Sequence, residues 1–105
     1  MKSIMQQKDG RCYLCMKLNN DYSQKYVEEH HCLNGTANRR LSTLWGLTVY
    51  LCLEHHTNGP LAVHNNQDMM RIVKQDAQRA FEKKWPDEDF RGIFGKNYQI
   101  GRAHV

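Results

Sequence analysis

The chain has 105 residues, 15 of them Lys or Arg against 11 Asp or Glu, and only 40% apolar side chains, so it has room for one small core and none for a second. No stretch approaches the roughly 20 apolar residues of a membrane helix, and the opening Met1-Lys2-Ser3-Ile4-Met5-Gln6-Gln7 lacks a hydrophobic signal region. Expected is therefore a soluble cytoplasmic protein with no membrane partner, whose net charge of +4 permits nucleic acid without demanding it.

Residues 1–10 have no period and end in Asp9-Gly10, which reads as a loose entry and a turn. Cys12-Tyr13-Leu14-Cys15 then sets two thiols one tight turn apart. Asn19-Asn20-Asp21 is turn material, and residues 26–33 read as a short strand stopped by Asn34-Gly35. Leu41, Leu44 and Trp45 recur at helical spacing, which predicts a short helix over 37–45 ahead of Gly46. A second strand, 47–51, has β-branched and aromatic content and runs into Cys52-Leu53-Glu54-His55-His56 before Asn58-Gly59-Pro60 breaks the pattern. The one long helix is expected over 67–85, capped by Asn65 or Asn66 and followed by Pro86. Its stripe of Met69, Met70, Ile72, Val73, Ala77, Ala80, Phe81 and Trp85 is read as core packing. Asp87 is expected to cap a last short helix that buries Phe90, Ile93 and Phe94. A single domain over 1–98 and a tail over 99–105, disordered or introduced in cloning, complete the expected organisation.

The four Cys and six His are unevenly placed, with five of the His between His30 and His64. In a reducing compartment, neighbouring Cys are metal ligands before they are disulfides. Cys12 and Cys15, together with Cys52 and His55, form two pairs of Zn²⁺ donors at knuckle spacing, so one structural zinc can pin the first turn to the end of the second strand. Cys32 is the alternative to His55 as fourth ligand; His55 is preferred because Cys32 lies in a strand, where a small apolar group suffices. Four further histidines remain: His30, His31, His56 and His64. Neighbours on a strand face opposite sides, so His30 and His31 are expected to divide the work, one holding a metal and the other moving protons. His64, at the entrance to the long helix, is the candidate second ligand.

Taken in order, Cys-x2-Cys, Glu29-His30-His31, Asn38, Leu51-Cys52-x2-His55-His56 and His64 before a helix make the chain similar to the HNH (ββα-metal, His-Me finger) endonucleases. The resemblance is to their small phage-encoded branch, which includes the RecA-dependent recombination nuclease, and it covers about 12–98. It implies an α+β fold, a small zinc-braced ββα-metal, treble-clef-like domain with a long C-terminal helix and a short final one. It also implies a metal-dependent endonuclease hydrolysing DNA. Carried over residue by residue, His31 is the general base, Asn38 holds that base, and His30 and His64, with His56 as a third ligand or a phosphate contact, hold a catalytic Mg²⁺, Mn²⁺ or Zn²⁺. Arg39 and Arg40 are the expected phosphate contacts. The sequence departs from the family where the second knuckle is Cys-x2-His, commonly Cys-x2-Cys, and where Cys32 replaces a large aliphatic residue. The competing expectation is a zinc-binding phage protein without turnover whose partner is a host defence nuclease, as for anti-CRISPR proteins.

Overall fold

Cys12 and Cys52 each stand at the N-cap of a short helix, so the two predicted knuckles are helix first turns. In a computed structural model, which describes residues 1–99, the elements are α1 (Tyr13–Asn19), β1 (Glu28–His31), α2 (Thr36–Trp45), β2 (Thr48–Leu51), α3 (Leu53–His56), α4 (Gln67–Lys84) and α5 (Phe90–Phe94). Their mixture of helices and a two-stranded antiparallel sheet is the expected α+β class. In that sheet Glu28 lies opposite Leu51 and His31 opposite Thr48. Among the described residues no helix is long and apolar enough to cross a membrane.

Both strands are shorter than their sequence patterns: β1 keeps only the middle of the expected 26–33, and β2 begins at Thr48 and not at Leu47, although the Cys32 amide still donates to the Leu47 carbonyl at 3.0 Å. The outer edge of β2 is covered by the N-terminal segment, which is anchored and not the loose entry expected. The Tyr50 amide donates to Gln6 Oε1 at 2.7 Å, the Ser3 hydroxyl donates to the Thr48 carbonyl, and the Ile4 amide donates to the Gly46 carbonyl at 2.9 Å. An open strand edge exposes unpaired amides and carbonyls, and these side chains satisfy two of them. Gly46 closes α2 with φ of 71°, and a Cβ there would lie 2.5 Å from the Lys2 carbonyl oxygen, so both handedness and space require glycine.

Leu14, Leu33, Leu47, Val49, Leu51, Val73 and Phe81 are fully buried and form the core. The predicted stripe of α4 faces it: Val73, Ala77 and Phe81 are buried, and Met69, Met70, Ile72 and Trp85 pack against it in part. Phe81 is ringed by Trp45, Trp85, Phe90 and Phe94 at centroid distances of 5.2 to 5.7 Å, mostly edge to face. The α4 cap is Asn66, whose side chain accepts from the Asp68 and Met69 amides, whereas the α5 N-cap is Asp89 and not Asp87. Leu44, expected on the inner face of α2, is 61% exposed; Ser42 is buried in its neighbourhood and bonds the Leu33 backbone. The chain after α5 returns along α4: the Tyr98 amide donates to Gln78 Oε1, and the Gln99 side chain donates to the Gln75 carbonyl. Gln99 therefore belongs to the fold and not to the expected tail, whose residues 100–105 lie outside the described ones.

Asp76 is a buried carboxylate that the apolar stripe concealed. Its oxygens accept from the Tyr13 hydroxyl at 2.6 Å and pair with Lys17 at 3.0 Å and Arg79 at 2.7 Å, tying α1 to α4. Burial alone would raise its pKa, but the Tyr13, Lys17 and Arg79 donors outweigh that and hold it below the ordinary carboxylate range. Asp76→Asn is expected to cost about 1–3 kcal/mol in urea unfolding followed by tryptophan fluorescence. A depressed pKa contributes fully above the unfolded value of about 4 and is lost only as pH falls through the folded value. The gap between wild type and variant should thus stay flat from pH 8 to pH 5, and narrowing within that window would assign the effect to another group.

Candidate metal centres and histidine cleft

The N-cap and N3 positions of one short helix place their side chains on the same side of its first turn. Cys12 and Cys15 occupy these positions in α1, with the Cys12 sulfur accepting from the Cys15 amide at 3.4 Å; Cys52 and His55 occupy them in α3. The first turn of α1 packs against the end of β2, where α3 begins, and the four side chains meet. His55 Nδ1 lies 3.6, 3.4 and 3.5 Å from the sulfurs of Cys12, Cys15 and Cys52, and the Cys15 and Cys52 sulfurs are 3.8 Å apart. Metal bonds of about 2.3 Å to sulfur and about 2.0 Å to nitrogen give tetrahedral edges of about 3.8 and about 3.5 Å. All four residues are buried, so the group is built for a tetrahedral metal such as zinc.

Charge supports the same assignment. Burial, and then the Cys12 thiol, push the Cys15 thiol up to about 12. Three thiolates around a divalent ion keep one negative charge, which the Lys25 ammonium faces from 3.4 Å at Cys15 Sγ while it pairs with Asp21 at 2.9 Å. Cys32 lies outside the group. Fully buried, with its sulfur 3.6 Å from Met5 Sδ, it fills a small apolar position beside the N-terminal segment.

A second group gathers at the other end of α3. His30 on β1, His56 at the end of α3 and His64 ahead of α4 bring their ring nitrogens within 4.8 Å of one another, with centroids 4.9 to 5.4 Å apart. Two backbone bonds place His64 there: the loop after α3 folds back so that the Val63 amide donates to the His55 carbonyl and the His64 amide to the His56 carbonyl. Asn65 and Asn66 hold that loop by donating to the Thr57, Gly59 and Pro60 carbonyls.

His30 and His56 are each placed as a ligand would be. His30 is 3% exposed, its Nε2 is buried without a hydrogen-bond partner, and burial followed by the charges of His56 and His64 lowers its pKa to about 3, keeping it neutral. A buried orphan nitrogen is costly unless something fills its lone pair. His56 Nδ1 is 2.8 Å from Glu28 Oε1, and Tyr26 donates to the other Glu28 oxygen at 3.0 Å. With its proton on Nδ1 donated to that carboxylate, His56 keeps Nε2 for ligation, the usual support for a metal-bound histidine. Glu28 is itself held below the ordinary carboxylate range, first by the His56 bond and then by Tyr26. The spacing of Glu28 and His30 on one face of β1 is the sequence signal for this carboxylate, and it is legible only once His56 is known to lie opposite.

His31 is not in the triad, as the alternation along β1 requires, but it lines the same cleft of about 440 Å³ with His30, His56, His64 and Arg39. Arg40 joins His31, Thr36 and Arg39 along an adjoining groove. Both arginines are exposed and, among the described residues, pair with no carboxylate. Asn38 stands elsewhere: its amide donates to the Phe94 carbonyl at 3.1 Å, tying α2 to α5. Comparison with models of known protein families, with curated proteins and with solved structures returned no match.

Proposed function

We propose that the chain is a metal-dependent endonuclease of the HNH type, a zinc-braced ββα-metal domain that hydrolyses DNA phosphodiester bonds. The observation that carries this reading is the His30, His56 and His64 triad, with an orphan ligand nitrogen and a carboxylate behind it, opening into a cleft lined by a fourth histidine and an arginine. In this reading β1 and β2 with the helices that follow form the ββα-metal frame, and zinc is the ion of the Cys12, Cys15, Cys52 and His55 group.

The side chains divide the work by position. His30, His56 and His64 hold a divalent cation such as Mg²⁺, Mn²⁺ or Zn²⁺, which when bound supplies Lewis-acid stabilisation of charge on the phosphate and the leaving oxygen. His31, outside the ligand set and open to the cleft, takes a proton from the attacking water and releases it to solvent. Arg39, on the cleft wall, and Arg40 beside it hold backbone phosphates. Asn38 braces α2, which carries both arginines, through α5 and not through a bond to His31.

The test combines metal counting by native mass spectrometry with nicking of supercoiled plasmid in Mg²⁺, Mn²⁺ or Zn²⁺. Wild type is expected to carry two ions and to nick; His30→Ala is expected to keep one ion, stay folded and lose nicking. A folded wild type that binds one ion and cuts nothing in any of the three metals would overturn the nuclease. Co-purification of that inactive protein with a host nuclease would instead favour the inhibitor expectation.

A further inference from the structure

The histidine cleft continues past His64. A second cleft, of about 590 Å³, shares His64 and Asn34 with the first and runs along the opening turns of α4 to the ring of Tyr98. Its cations are Arg71 and Lys74. Arg71 has only the exposed Asp68 for a partner among the described residues, at 3.5 Å, and Lys74 has no carboxylate. The Lys74 ammonium lies over the Tyr98 ring, 5.3 Å from its centroid. Two hydrogen bonds fix Tyr98 against α4: the Gln75 side chain donates to the Tyr98 carbonyl, and the Gln78 side chain receives the Tyr98 amide. Burial and then Lys96 push the Lys74 ammonium below its ordinary range. A half-buried ammonium crowded by another cation, beside a histidine cluster, is relieved by an anion.

We propose that the cleft between α4 and Tyr98 is a second phosphate subsite, in which Lys74 and Arg71 bind the backbone of the same DNA strand on the far side of the triad from Arg39. The subsite rests on the nuclease reading for its ligand. It makes the substrate an extended polynucleotide, gripped on both sides of the bond to be cut, and not a mononucleotide or a phosphomonoester.

The experiment is fluorescence anisotropy of a labelled 20-base-pair DNA duplex and of its single strand, with zinc-loaded protein in Ca²⁺ at several salt concentrations. Each neutralised duplex phosphate adds about 0.9 to the slope of log affinity against log salt. Lys74→Gln and Arg71→Gln are each expected to lower the wild-type slope by about one, while Lys83→Gln at the other end of α4 leaves it unchanged. Equal slopes for wild type and Lys74→Gln, or no wild-type binding to either DNA, would overturn the subsite. The nuclease reading fails separately: Lys74-dependent binding with no cleavage in any metal keeps the subsite and removes the enzyme.

Discussion

Replacing Cys15 by Ser, or stripping the Cys12, Cys15, Cys52 and His55 ion with a strong chelator, is expected to unfold the entire domain. Binding of structural zinc in small modules is worth about 10–16 kcal/mol, against a total stability of about 5–15 kcal/mol for an ordinary domain. In this chain the four ligands join the first turn of α1 to the first turn of α3, and α3 in turn carries His56 and receives the loop that places His64. Loss of the ion therefore removes the brace of a small core and dismantles the histidine triad with it. Circular dichroism and tryptophan fluorescence should show loss of helix and of the Trp45, Phe81 and Trp85 cluster, reversed when zinc is returned to the chelated wild type. Cys32→Ser, altering a buried cysteine outside the group, should stay folded and keep the ion of the Cys12, Cys15, Cys52 and His55 group. A Cys15→Ser protein that melts like wild type with its zinc in place would sink the assignment.

His31→Ala should slow DNA cleavage sharply while leaving both metals bound. General-base catalysis contributes about 10²- to 10⁴-fold to a rate, so plasmid nicking should fall by that factor at saturating metal. His31 makes no side-chain hydrogen bond among the described residues and is only half-buried, so its removal should alter stability by no more than about 0.5 kcal/mol. His56→Ala provides the contrast: it should lose the second ion together with activity. Added imidazole should restore part of the rate to His31→Ala, since the cleft that held the ring is open to solvent, and none to His56→Ala at the same metal concentration. Undiminished cleavage by His31→Ala would show that the proton goes elsewhere.

Local patterns were the most legible part of this molecule. The α4 stripe from Met69 to Phe81 and the β-branched run before Cys52 each follow from a single period, and the structure places both against the core. The zinc-type group was legible for a related reason, since each half of it, Cys12 with Cys15 and Cys52 with His55, is a local pair. Asp76 and Gln78 were concealed because a polar residue within an apolar face looks like an interruption until its partners arrive, Tyr13 and Lys17 from α1 in one case and the Tyr98 amide in the other. Leu44, set by its spacing beside Leu41 and Trp45, is exposed, whereas Ser42 is buried and its hydroxyl bonds the Leu33 backbone at that turn of α2. Asn38 shows the limit of a motif most plainly: its order in the chain matched a base-holding residue, yet its amide spans to α5.

By itself, then, the sequence determined the ligand types, the two metal-binding pairs and the separation of His30 from His31, because spacing within one turn or one strand controls which side chains share a face. The family resemblance named His30, His56 and His64 together, but spacing did not, and only the tertiary structure brings them to one point. His30, His56 and His64 come from a strand, a one-turn helix and a loop, and their convergence depends on β1 pairing with β2 and on two backbone bonds that fold the loop back over α3. Glu28 acquires its place behind His56, and Lys74 its place in the cleft that His64 lines, in the same way, through neighbours distant in the chain, where no local period can reach.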